Sequence, residues 1–173
     1  MKTYLHLLLI ALIANLTGCV SIRSNALPDA IPAFKRILVV AKTRDVSDGY
    51  LRNLKRAFPA DYEVCAVALT PLTFDRADEF IQRQAALCQS DVVLTLELVQ
   101  SGQFNYQMNT GSPSQFNLDM RSLTTNKSFW KAIISTSSAV GNQIPPHTVV
   151  KRLLKDGILE GKLPATDGLR ALN

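Results

Sequence analysis

Few residues in this chain have types and spacing that could do chemistry. His6 lies in an apolar run near the start, which leaves His147 for acid–base work. It follows Pro145-Pro146 at a predicted helix entry, where a surface or capping role competes with catalysis. Glu97 alternates with Val93, Thr95 and Val99 along an apolar strand. Burial would raise its pKa and suit it to proton transfer, whereas a place near the strand's end would let it reach solvent or a lysine. Asp75, Asp78 and Glu79 cluster where a helix should begin, and acidic groups there complement the helix dipole. Cys65 sits between Val64 and Ala66, surroundings that oppose the low thiol pKa a nucleophile needs. One histidine and two separated cysteines do not make a closed metal shell, so no metal is expected. Neither a glycine-rich phosphate cradle nor a serine elbow stands out, and no cofactor is expected.

Cys19 belongs to a different chemistry. The apolar run from Leu5 to Ala14 is too short to span a bilayer, which takes about 20 such residues, and reads as a signal-peptide core. Directly after it, Leu16-Thr17-Gly18-Cys19 resembles the lipobox of bacterial lipoproteins. The resemblance implies that the Cys19 thiol takes a diacylglyceryl group, that a signal peptidase cuts before it, and that the new amino group is then open to acylation. Thr17 and Gly18 leave the backbone unobstructed for the peptidase. Aspartate after the cysteine would imply retention at the inner membrane; Val20 stands there, so the outer membrane is expected, with the domain facing the periplasm.

Removal of 18 of the 173 residues leaves 155, enough for one domain with a real core. The removed segment carries one of the 19 basic residues and none of the 14 acidic ones, so the mature charge is +4. That mild excess, with no long run of like charge, gives no reason to expect nucleic acid as a partner. Arg52, Lys55 and Arg56 have the spacing of one solvated helix face. Cys65 and Cys88 are an even pair in an oxidising compartment, and both a disulfide and two buried free thiols fit their apolar contexts.

The elements that position these residues follow from periodicity. Residues 19–34, with Pro28 and Pro32 among small and polar residues, read as a lipidated tether. The domain is expected over 35–162, followed by a tail over 163–173. Arg36 to Ala41 is a continuous apolar run, as in a strand buried on both faces. Ser47 or Asp48 can cap a helix through Phe58, and Pro59 stops it. Tyr62 to Leu69 is a second strand. A second helix is expected from Thr73 or Asp75 to about Cys88, with Phe74, Ala77, Ile81, Ala85 and Cys88 on one face. Asp91 to Val99 is a third strand. This order implies a parallel β-α-β-α-β core. Ser101 to Ser114 is a long polar connection in which Gln103 to Gln107 could extend the sheet, and Phe104, Tyr106 and Met108 are its interface candidates. Phe116, Leu118 and Met120 alternate with polar residues, a turn follows at Thr124 to Lys127, and Phe129 to Thr136 returns as the second arm of an antiparallel hairpin. Trp130 alternates with Ala132 and Ile134, which favours the core over an exposed binding anchor. Thr148 can cap a last helix with Val149, Val150, Leu153, Leu154 and Ile158 inside, ended by Gly161 and Pro164. The fold class is therefore α/β, a single mixed sheet with a C-terminal helix.

Three stretches carry a wider resemblance: Asp91 to Leu98, Lys127 to Ala132 with its tryptophan after the turn, and Leu153 to Gly157. Across residues 35 to 160 the pattern is similar to the α/β domains of curli-secretion-type lipoproteins and of lipoprotein activators of peptidoglycan synthases. It implies an α/β fold, and its curli-secretion side implies oligomerisation into a larger assembly as one reading. The expected function is that of an outer-membrane-anchored binding or assembly module, with the bilayer and an envelope protein as partners. An envelope enzyme using Glu97 or His147 on cell-wall or lipid material is the alternative, and a homo-oligomeric envelope assembly is another.

Overall fold

The computed structural model describes residues 20–43, 46–105, 110–137 and 143–164. Its centre is a six-stranded mixed sheet. In chain order the elements are β1 (Ser21–Ala26), a 3-10 turn (Pro28–Ala30), β2 (Arg36–Lys42), α1 (Asp48–Ala57), β3 (Glu63–Ala68), α2 (Ala77–Leu87) and β4 (Val92–Gln100). A small pair, β5 (Phe104–Asn105) and β6 (Thr110–Gly111), precedes β7 (Ser114–Ser122), β8 (Ser128–Thr136) and α3 (Pro146–Lys155). The sheet order is β1-β8-β7-β4-β2-β3, and β5 and β6 form a separate two-stranded sheet.

β2 pairs in parallel with both β3 and β4, so the chain steps to one side of β2 and then crosses to the other. Crossovers of one hand then put the two helices on opposite faces. The packing agrees: Leu54 and Ala57 of α1 lie in one core with Ile37, Val39 and Leu94, whereas Ile81 and Ala85 of α2 lie in the other with Leu38, Val40 and Val93. This two-sided burial explains the unbroken apolar runs of β2 and early β4. α3 adds Val149, Val150 and Leu153 to the α1 side, where Phe116, Leu118, Met120 and Trp130 complete the larger core.

Helix ends follow local chemistry. The Ser47 side chain accepts from the Tyr50 N–H at the start of α1, a side-chain N-cap. α3 starts at Pro146 rather than behind Thr148; proline at the first helical position has no N–H to leave unsatisfied. It ends before Gly161: Gly157 adopts φ +71°, the Ile158 N–H donates to Leu153 O and the Gly157 N–H to Leu154 O. This is the paired closure a left-handed glycine permits, and it tucks Ile158 into the core.

Two expectations are corrected. Residues 21–26 are not tether but the edge strand β1, paired antiparallel with β8 from Ser21↔Ser135 to Ala26↔Trp130. The chain then runs along the sheet's lower end, packing Ile31 and Phe34 on the core, so the span 19–34 is largely part of the domain. α2 begins at Ala77, with Arg76 as its N-cap, so Phe74 precedes the helix and is fully exposed.

Cys65 and Cys88 form a disulfide with Cα atoms 6.2 Å apart. It joins β3 to the C-terminal end of α2 beside Leu38 and Val40. Closing a segment with a sequence separation of 23 restricts the unfolded chain by about 3 kcal/mol. We therefore expect reduction, or a Cys65→Ser/Cys88→Ser pair, to lower unfolding stability by about that amount. Denaturant titration with and without reductant checks this; an unchanged midpoint would remove the bond's stabilising role.

Candidate interaction surface

Strand registers place Ser21, Lys42, Ala68, Gln100, Ser114 and Thr136 along one end of the sheet. The beginning of β1, the β2–α1 and β3–α2 connections, the β5–β6 hairpin and the segment after β8 all leave from this end. Cys19 lies outside the described residues. Ser21 opens β1 two positions later, so covalent reach limits the Cys19 Cα to within ~7 Å of the Ser21 Cα.

Of the three aromatic or sulfur residues singled out in the 101–114 connection, Phe104 falls in β5, and Tyr106 and Met108 lie outside the described residues. The connection folds back as a hairpin, with Phe104↔Gly111 and Asn105↔Thr110 in register. Its base is tied by Ser112 N–H to Gln103 O at 2.8 Å and by Gln103 N–H to Ser112 Oγ at 2.9 Å. The Gly102 N–H donates to Ser114 Oγ at 2.9 Å. A Cβ at Gly102 would come within 2.7 Å of Ser112 O, so the backbones approach closely because this residue has no side chain. The hairpin thus leaves the sheet in a fixed direction.

A second surface is the part of the α2 face that α2 does not cover. Registers align Lys42, Glu97, Asn117, Ile133 and Arg23 in one row across β2, β4, β7, β8 and β1. Glu97, Asn117 and Arg23 are exposed, as are Ile133 and nearby Val99, each at nearly half of full exposure. Asp119 and Lys131 pair at 4.0 Å in the next row. Antiparallel sheets commonly leave one face to water, and this one is polar with isolated apolar side chains.

The structure does not bring the sequence's acid–base candidates together. Glu97 stands exposed on the open α2-side face, in register with Lys42. His147 is exposed in the first turn of α3, whose core residues pack on the opposite face. Asp75 pairs with Arg83 and Asp78 with Arg121, so both take part in surface ion pairs. Among the described residues, no three His, Cys, Asp or Glu side chains are grouped to hold a metal ion.

At the opposite end of the sheet, a groove of about 540 Å³ is lined by Phe34, Lys35, Tyr62, Asp91, Ile158 and Glu160, among others. Lys35 Nζ sits 4.9 Å from the Tyr62 ring centre. Partial burial pushes the Asp91 pKa up, but backbone N–H groups of Lys35 and Arg36 and the Arg36 guanidinium outweigh it, leaving the carboxyl below its ordinary value. Asp91 thereby fixes the entry to β2.

Sequence reasoning gave no sign of a second polar cluster, centred on Asp156. Asp156 Oδ2 accepts from Trp130 Nε1 at 2.8 Å, from Arg152 Nε at 3.0 Å, and from the Ser24 hydroxyl. Ser24 Oγ in turn accepts from Arg152 Nε at 2.7 Å. Trp130 is 1% exposed, so its ring belongs to the core while its N–H joins this cluster. The cluster ties β1, β8 and α3 together.

No family model matches the sequence, and no curated protein matches it. Among solved structures, the chain is similar to the PelC dodecamer from Paraburkholderia phytofirmans, with 12% identity and a TM-score of 0.45 over 80% of this chain and 94% of that one. A single-substitution variant of the same PelC dodecamer aligns with 12% identity and a TM-score of 0.46 over 78% of this chain and 96% of that one.

Proposed function

We propose that this protein is an outer-membrane lipoprotein, held by acylated Cys19, whose periplasmic α/β domain binds another envelope component, a protein, without catalysing a reaction. The observation that carries this reading is positional. The lipobox-like cysteine stands two residues before β1, and the start of β1 shares one end of the sheet with the β5–β6 hairpin. An anchored domain would therefore hold that hairpin beside the membrane, which raises its effective concentration for neighbours there. Crosslinking of the lipidated protein in its own membrane, followed by mass spectrometry, tests this. A reproducible protein partner linked through residues 101–114 is expected; links confined to the far end of the sheet would refute it.

A second reading, assembly with copies of itself, draws on the two edge strands. Among the described residues, β1 and β3 each have a neighbour in the sheet on one side only, and an unpaired edge can template pairing with another chain. In the same experiment it would give self-links that join β1 to β3.

A further inference from the structure

Leu72 is 86% exposed and Phe74 fully so, and both stand on the β3–α2 connection. Residues 69–74 read Leu-Thr-Pro-Leu-Thr-Phe and carry no charge. Their outward placement is built in. The Thr73 N–H donates to Thr70 O at 3.0 Å, closing a four-residue turn with Pro71 in the second position, where its fixed φ is favourable. Thr73 Oγ1 accepts from the Thr70 N–H, and Thr70 Oγ1 from the Leu72 N–H. The turn's polar groups thus bond to one another, while Leu72 and Phe74 point away. Below the turn, the Cys65–Cys88 disulfide staples β3 to α2.

This turn leaves the same end of the sheet as the start of β1, from the opposite edge. Ser21 and Ala68 mark the two corners, separated by five strand spacings, or about 24 Å. With Cys19 held in a leaflet two residues before Ser21, the domain has little slack, and its Cys19-bearing end lies against the lipid. Arg76, exposed at the base of the turn, pairs with Glu79 at 4.0 Å, so the turn's approach to lipid rests on its apolar side chains.

We propose that Leu72 and Phe74 insert into the leaflet that holds acylated Cys19, as a second membrane contact that fixes the domain's orientation on the bilayer. The inference rests on the lipid-anchor reading above. Two contacts at opposite corners of one sheet end would restrain the domain from swinging about a single anchor, and would keep the hairpin between them facing the surface.

The test uses purified, lipidated full-length mature protein in phosphatidylethanolamine–phosphatidylglycerol vesicles, with and without brominated acyl chains. Phe74→Trp supplies a reporter at the turn. Leu87→Trp, at an exposed position where α2 has returned to the other end of the sheet, supplies the control. Trp130 is buried, and its constant signal is subtracted using the parent protein. The expected result is a blue shift for Phe74→Trp and quenching by bromolipid several-fold stronger than for Leu87→Trp. Equal weak quenching of both variants, in protein whose mass shows acylated Cys19, overturns the insertion and leaves the anchor standing. A blue shift in native membranes without quenching in the vesicles also overturns it, because the turn then meets a protein. A mass without acyl groups overturns the anchor reading and, with it, this proposal.

Discussion

A Cys19→Ser substitution is expected to abolish incorporation of radiolabelled palmitate and to leave an uncut precursor in the wrong membrane fraction. The thiol is the only group in Leu16-Thr17-Gly18-Cys19 that can take a diacylglyceryl thioether, and serine has no equivalent nucleophile there. Each buried methylene contributes about 0.8 kcal/mol, so two or three acyl chains hold firmly where one is marginal. Loss of the thiol removes all of that attachment and retains the apolar run Leu5 to Ala14. The domain itself should be untouched, since Cys65 and Cys88 bond to each other and Cys19 lies outside β1. Parent and variant should therefore unfold within about 0.5 kcal/mol of one another. This separates a processing defect from misfolding. Palmitate labelling and cleavage equal to the parent's would refute the assignment.

How much of this was legible in the chain depended on how local each signal was. The strands β2 and β4 announced themselves because burial on both faces leaves unbroken runs such as Ile37 to Ala41. Ser47 announced α1 because a cap acts within three residues. β1 was silent: its inward residues are Ile22, Ser24 and Ala26, one large apolar side chain among small ones, so no period-two hydrophobic signal exists. What holds it includes the bond from Ser24 to Asp156, 132 positions away. Phe74 misled for the converse reason. It falls at helical spacing from Ala77 and Ile81, but a helix starts where its N-terminal groups are satisfied, and Phe80 N–H bonds to Arg76 O. The disulfide could only be left open, since pairing depends on α2 returning along β3. The candidate surface divides in the same way. The lipobox-like motif is four contiguous residues, whereas the shared sheet end that relates the start of β1 to the hairpin and to Leu72 and Phe74 arises only from strand order.

The Asp156 cluster is expected to be a pH-dependent clasp on the edge strand β1. Burial alone would raise the Asp156 pKa, but donation from Ser24, Trp130 and Arg152, with the Arg152 charge, outweighs it and holds the carboxyl below the ordinary 3.8. A carboxylate with a lower pKa in the folded than in the unfolded chain adds stability above its unfolded value, and the addition is lost as pH falls through the folded pKa. Asp156→Ala leaves the Trp130 N–H without its acceptor and the Arg152 charge without its carboxylate, at a cost of about 3 kcal/mol at pH 7, or ~6–12 °C in Tm for a domain of this size. The gap between parent and variant should narrow once the pH drops below about 4. Trp130→Phe, which keeps most of the ring volume but deletes the Nε1–H, should cost about 1 kcal/mol from its lost hydrogen bond. A gap that stays constant from pH 7 to pH 3 would mean that the carboxylate's charge contributes nothing. Because Ser24 is the β1 member of the cluster, amide exchange in Asp156→Ala should rise first across Ser21 to Ala26. That pattern would show β1 held by side chains reaching from α3, so that a pull on the start of β1 is borne by the C-terminal helix as well as by the β8 hydrogen bonds.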